Sequence, residues 1–173
     1  MEHDVLAARV SEVAQLSGEF HLRSGLTAAT YFDKYQIESD PELLAAIAAH
    51  MEKLIPADTD MLAGLELGGV PVATALSLAS GIPVVFVRKK AKEYGTAKLA
   101  EGPSIEGKRL LIVEDVVTTG GQVVVSTQDL RERGAIVSSA ACVIDRDQGG
   151  GQALADIGGV TLLPVFARSD IER

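Results

Sequence analysis

Residues Leu110–Gln122 read LLIVEDVVTTGGQ: a wholly apolar run, two adjacent carboxylates, then two threonines and two glycines. The run is short and branched enough for a buried parallel strand, predicted over residues 109–113, and an amphipathic helix is predicted from Gln122 to Arg133. Their junction therefore falls at a strand's carboxyl end, where open α/β sheets bind ligands. Gly120 and Gly121 free the backbone so that successive N–H groups can converge on an anion at a helix start, and Thr118 and Thr119 add hydroxyls. Glu114 and Asp115 do not suit a phosphate. Beside an anion site they suit ligand hydroxyls, such as a ribose diol, or a hydrated Mg2+. The plainer alternative is a helix entry whose acidic residues complement the helix dipole. Acid pair, threonines and glycines together at one strand-to-helix junction favour a sugar-phosphate cradle.

A chain of 173 residues suits one domain that buries roughly 70% of its unfolded surface without disulfides or a structural metal. Its 47% hydrophobic and 23% charged content is ordinary for a globular α/β protein. No apolar run approaches the roughly 20 residues of a membrane span. The opening MEHDVLAARVSEVAQ is acidic and amphipathic rather than basic then apolar, unlike a secretory leader, so the cytoplasm is the expected compartment. A net charge of −8 argues against a general nucleic-acid binder. Cys142 stands among Ala140, Ala141 and Val143, as a buried structural thiol would.

Four of the 16 basic residues, Arg88, Lys89, Lys90 and Lys92, fall within five positions. In an acidic protein such a cluster is an anion site or a solvated surface loop.

Residues 5–16 have apolar positions at helical spacing. FHLRSGLTAATYFD, Phe20 to Asp33, breaks at Ser24-Gly25 and is expected to be a turn or hairpin feeding the sheet's edge. A second helix is marked by Asp40 as cap, Pro41 in the first turn and an apolar face of Leu43, Leu44, Ile47, Met51 and Leu54. Strands near 61–65 and 83–87 alternate with a helix over about 70–80, and further strands follow at 136–144 and 160–165 with a short helix between them. Residues 88–108 have no sustained apolar period and carry Gly95, Gly102, Pro103 and Gly107, as lids and binding loops do.

GPSIEGK, Gly102 to Lys108, matches the start of a P-loop, but Arg109 replaces the Mg2+-binding hydroxyl and the stretch precedes a strand instead of following one, so nucleotide hydrolysis is rejected. His3, His21 and His50 lack ligand spacing and are expected to be exposed. Gly64, Gly68 and Gly69 in GLELGGV form a second strand-to-helix loop, either a second anion grip or a tight turn. Arg146, flanked by Asp145 and Asp147, offers bidentate recognition of a carboxylate or imide edge, or a simple surface ion pair.

VEDVVTTGG resembles the phosphoribosyl pyrophosphate (PRPP) motif of type I phosphoribosyltransferases. RKKAKEYGTAKLAEG, residues 88–102, is similar to the mobile catalytic loop of orotate phosphoribosyltransferases, and FHLRSG with YFD, GLELGGVP and IDRDQGG follow in that family's order. The resemblance implies an α/β type I phosphoribosyltransferase fold: a central, mostly parallel sheet flanked by helices, with a small N-terminal hood and a long mobile loop. It implies one domain over residues 1–173, the hood drawn from about residues 1–35 and the C-terminal segment.

The same resemblance implies residue roles. Glu114 and Asp115 would take the ribose hydroxyls; Thr118, Thr119, Gly120, Gly121 and Gln122 would hold the 5′-phosphate, and Val116 and Val117 would also bind PRPP. Arg88, Lys89, Lys92 and Tyr94 would serve PRPP, with Leu67, Gly68 and Gly69 as the pyrophosphate loop. Thr118, Arg146, Arg23, Tyr31 and Phe32 would receive orotate. Lys92, Arg88 and Asp115 are the implied catalytic residues. Mg2+ would be held mainly through PRPP, without a dedicated protein ligand set. The implied assembly is a homodimer in which loop 88–102 reaches the neighbouring subunit's site. Arg23, Gly68 and Tyr94 depart from the family's usual lysine, lysine and histidine. A purine or uracil phosphoribosyltransferase and a PRPP-sensing regulator are the alternatives, and Arg146 and the acidic charge weigh against them.

Overall fold

The computed structural model describes residues 1–21, 25–91 and 98–172. Among them the chain runs α1 (His3–Ala14), β1 (Gln15–His21), β2 (Thr27–Phe32), α2 (Lys34–Glu38), α3 (Pro41–Met51), a 3-10 turn (Glu52–Leu54), β3 (Met61–Leu65), α4 (Gly69–Ser80), β4 (Val84–Val87), β5 (Ala100–Glu101), β6 (Arg109–Val117), α5 (Gly121–Glu132), β7 (Ile136–Asp145), α6 (Gly150–Asp156), β8 (Thr161–Ala167) and α7 (Arg168–Ile171). No helix among these residues is long and apolar enough to cross a membrane.

The main sheet has six strands in the order β5-β4-β3-β6-β7-β8. All neighbours are parallel except β5, which is antiparallel to β4. From β3 the chain passes through α4 to β4 on one side, then crosses to β6 on the other. Strand order therefore reverses between β3 and β6, and the crevice at their carboxyl ends is where such sheets take ligands.

Alternation along β6 divides the core. Leu111 and Val113 pack with Leu43, Ile47 and Met51 of α3 and Val72 and Leu76 of α4. Leu110 and Ile112 pack with Val123 and Leu130 of α5 and Leu154 of α6. A strand buried on both faces has no polar side to alternate with, which is why LLIV is apolar throughout. α3 begins as its sequence requires: Asp40 accepts hydrogen bonds from the Glu42 and Leu43 amides at 2.9 and 3.1 Å, with Pro41 in the first turn. Cys142 is fully buried, and burial raises its thiol pKa well above the ordinary value, as suits a structural thiol.

Several expectations need correction. The first helix ends at Ala14 because β1 begins at Gln15. β1 and β2 form a separate two-stranded sheet, so the hairpin does not feed the main sheet's edge. Its residues are exposed or half-buried, and it meets the core through Phe32. The segment after Arg88 is not wholly irregular, because β5 returns to pair with β4. β6 continues four residues beyond Val113, since β7 supplies partners as far as Val117 opposite Asp145. Glu114 to Val117 are thus strand residues. α2 and α7, of five and four residues, are too short to show helical periodicity. His3 and His50 are half-buried rather than exposed: their rings meet edge-on at 5.8 Å, and His3 Nε2 hydrogen-bonds the Val165 carbonyl at 2.9 Å.

Candidate active site

The reversal point between β3 and β6 makes the floor of the site. Their pairing stops at Gly64 opposite Val113, and beyond it the Glu66–Gly69 loop lies against β6. Its backbone comes so close that an ideal Cβ on Gly69 would stand 2.4 Å from the Val113 carbonyl oxygen. At Gly68 the corresponding Cβ would overlap the Asp115 carboxylate, 1.6 Å from Oδ2. Close approach, rather than turn geometry alone, accounts for glycine at both positions. α4 starts directly after this loop with no side chain capping it; the Val70 amide turns back to the Leu67 carbonyl at 3.1 Å and Pro71 has no N–H, which leaves the Gly69 amide as the first-turn donor at this end. The loop is tied to the next strand: the Glu66 amide donates to the Val87 carbonyl at 2.9 Å, and the Lys89 amide donates to Glu66 Oε1 at 2.5 Å.

The acid pair sits inside this frame. Strand alternation puts Asp115 on the face of Leu111 and Val113, toward α2, where Lys34 Nζ forms an ion pair with Asp115 Oδ2. Asp115 Oδ1 accepts from the Val116 amide at 2.5 Å, and Glu114 Oε1 accepts from the Asp115 amide at 3.0 Å. Glu38, one turn after Lys34, brings a third carboxyl beside them. Three acids and one lysine cannot all be charged in so small a volume. Burial, then the adjacent Asp115, pushes Glu38 up to about 9. Burial and the Asp115 charge push Glu114 up to about 8. For Asp115 burial acts upward, but hydrogen bonding from Glu38, Lys34 and Glu114 outweighs it and holds the carboxyl below its ordinary value. Burial likewise opposes the Lys34 charge, and Asp115 more than offsets that, leaving the lysine pKa raised. Asp115 is therefore the ionised member of the group.

At the end of β6, Thr118 and Thr119 are exposed and Gly120 adopts φ +75° as α5 begins, again without a side-chain cap. An L side chain resists that backbone conformation. It would also press on α6, because an ideal Cβ on Gly120 lies 3.0 Å from Gly150 Cα. The loop thus leaves a helix N-terminus open to an anion.

Arg146 stands next to this loop, its amide bonded to the Val117 carbonyl at 2.9 Å. Its guanidinium lies 5.4 Å from the Phe32 ring centroid, and Nη2 is 2.9 Å from Glu172 Oε1. Arg146 Nε is buried with no hydrogen-bond partner among the described residues. Tyr31, Phe32, Arg146 and Glu172 line one pocket with Thr30 and Gln15, so the hairpin and the end of β7, distant in sequence, share a wall.

The basic segment is reached through Arg88, whose Nε pairs with Glu101 Oε1 at 3.1 Å. Lys89 and Lys90 are exposed beside the Glu66 loop. Arg23, Lys92 and Tyr94 lie outside the described residues. Gly68 and Gly69 meet Asp115 and Glu114 in the crevice, Leu67 of the same loop is exposed, and Tyr31, Phe32 and Arg146 form the neighbouring pocket. Sequence reasoning missed Lys34, Glu38 and Glu172. Their one available signal was a lysine and a glutamate four residues apart around an apolar Ile37.

A phosphoribosyl transferase domain model matches residues 34–164. An orotate phosphoribosyltransferase of Nocardioides sp. is 51% identical over 167 residues, covering 96% of this chain and 93% of its own. The crystal structure of Mycobacterium tuberculosis orotate phosphoribosyltransferase with Fe(III) dicitrate is 32% identical, with a TM-score of 0.89 and coverage of 99% of both chains. The structure of the Mycobacterium tuberculosis enzyme with 5-phospho-alpha-D-ribosyl 1-diphosphate is 29% identical, with a TM-score of 0.83 and 99% coverage of both chains. The sheet, the glycine-lined crevice and these similarities agree: the chain has the type I phosphoribosyltransferase fold and belongs to the orotate phosphoribosyltransferase family of enzymes.

Proposed function

We propose that the protein transfers ribosyl 5-phosphate from PRPP to N1 of orotate, with Mg2+, giving orotidine 5′-monophosphate and pyrophosphate in pyrimidine biosynthesis. The observation that carries this reading is the convergence, at one strand-order reversal, of two uncapped helix N-termini, those of α4 and α5, on either side of the buried acid pair. Two anionic groups joined by a sugar match that arrangement. The Arg146 pocket beside it, walled by Phe32, suits a flat, negatively charged acceptor.

In this reading the loop at Thr118–Gln122 binds the 5′-phosphate and Asp115, with Glu114, receives the ribose hydroxyls. The difficult step is the growth of positive charge on the sugar ring as pyrophosphate leaves. Arg88, Lys89 and Lys92 offset the opposite charge on the leaving group, and the rigid phosphate loop keeps the sugar in place. Lys34, Val116 and Asp115 already supply partners to the two carboxylates, so the donor set fits a hydrated ion that arrives on PRPP. Mg2+ supplies charge neutralisation at the pyrophosphate when bound. Orotate carries an acidic N1 proton, and no dedicated strong base is assigned. The acting unit is a cytoplasmic homodimer whose loop 88–102 covers the neighbouring subunit's site and excludes water.

The test is loss of orotate absorbance on adding PRPP and Mg2+, with adenine, hypoxanthine and uracil as competing acceptors. Turnover of orotate that stops on chelation of the metal is expected. Turnover of another base without orotate would overturn the assignment.

A further inference from the structure

Lys34 belongs to none of the stretches that carry the family resemblance, yet its ammonium forms an ion pair with the Asp115 carboxylate. Its side chain is 35% exposed, whereas that of Asp115 is 4% exposed. One end of the pair is therefore reached by solvent and the other is enclosed by β6, α2 and the Gly68 loop. The carboxylate has no slack in this enclosure. Oδ1 is taken by the Val116 amide, Oδ2 by Lys34, and the space beyond Oδ2 is the space a Gly68 side chain would need. Without a cation at this point the ionised Asp115 would be a buried charge with no opposite charge beside it, and such a charge is costly to keep in place.

We infer that Lys34 is a positioning residue for the reaction: its ammonium, docked from α2, fixes the Asp115 carboxylate in the orientation that receives the ribose hydroxyls, and Glu38 closes the same group from behind. The inference rests on the reading of the crevice as the PRPP site. A five-residue helix suits this task because Asp33 caps it, accepting from the Tyr35 amide at 3.1 Å and the Gln36 side chain at 2.9 Å. That cap sets the first turn, and Lys34 is its first residue. An ion pair whose carboxylate is enclosed is also screened less by solvent than an exposed one.

The experiment measures the KM for PRPP and for orotate in the wild type, Lys34→Met, Lys34→Arg and Glu38→Gln, with calorimetric PRPP binding in the absence of any acceptor. Lys34→Met is expected to raise the KM and the dissociation constant for PRPP by roughly 10- to 100-fold, the loss of one charged contact that holds the carboxylate, and to leave the orotate KM within about twofold. Lys34→Arg is expected to recover part of the loss, and Glu38→Gln, whose amide can still donate to Asp115, to raise the PRPP KM by less than Lys34→Met does. KM does not depend on the folded fraction, so poor folding of a variant does not mimic the result. An unchanged PRPP KM in Lys34→Met, or equal rises for both substrates, would overturn the role. A wild type that binds PRPP but ignores orotate rejects the acceptor assignment instead, and the calorimetry still judges Lys34.

Discussion

Gly68 and Asp115 occupy each other's space: a Cβ on the glycine would stand 1.6 Å from one carboxylate oxygen and 2.4 Å from Cγ. Close approach to Asp115 therefore accounts for glycine at this position. In this chain the loop has no room for any side chain while Asp115 is docked on Lys34.

Gly68→Ala should force Asp115 off Lys34. The obstruction is a short side chain held at both oxygens, so the loss should fall on PRPP binding more than on the fold. We expect the KM for PRPP to rise at least tenfold, equivalent to about 1.4 kcal/mol, while the thermal midpoint drops by only a few degrees. Parallel kinetics and thermal melts check both parts, and a wild-type KM would show that Asp115 moves away without consequence.

The clustered carboxyls make stability depend on pH. Glu38 and Glu114 have folded pKa values of about 9 and about 8 against an ordinary 4.5. The folded state thus keeps protons that the unfolded chain has released, a contribution complete below the unfolded value and lost as pH rises through about 8 to 9. Asp115, with a lowered pKa, acts oppositely and only near or below its ordinary 3.8. The melting temperature of the ligand-free protein should therefore fall between about pH 6 and about pH 9, and Glu38→Gln should flatten that slope. A melting temperature that rises over the interval in wild type would contradict the assignment.

Arg146 is held by Glu172 on one side and Phe32 on the other. An acceptor carboxylate would have to displace Glu172 from Nη2. Arg146→Ala should raise the orotate KM by roughly tenfold or more, since a bidentate charged contact is lost, with little change in the KM for PRPP. Glu172→Gln should move the orotate KM the other way. Steady-state kinetics with each substrate varied in turn separates the two variants.

Lys92 tests the basic loop. It is expected to contact the leaving pyrophosphate mainly in the transition state, so Lys92→Ala should lower kcat by roughly 100-fold or more. Single-turnover rates with saturating PRPP measure this directly, and an unchanged kcat would remove Lys92 from the chemistry.

Much of this was legible from residue order because it depends on local rules. The apolar run of β6, the Asp40-Pro41 start of α3 and the glycine-rich start of α5 each follow from neighbours within a few positions. The VEDVVTTGG stretch likewise raised the expectation of a sugar-phosphate site by its own chemistry. Its limit was misjudged at Val113, because the four further residues of β6 are strand only through the ladder that β7 supplies.

Pairing between distant segments had no local signal. Only the reversal of strand order brings the Gly68 loop against β6, and only there does α2 bring Lys34 to Asp115 and the hairpin bring Phe32 to Arg146. α2 spans five residues and has too few turns to show a periodic face. By itself the sequence determined which chemical groups the protein carries and on which local elements. The tertiary structure decided which carboxyl stays charged, because burial and the approach of one ammonium set that balance across segments far apart in the chain.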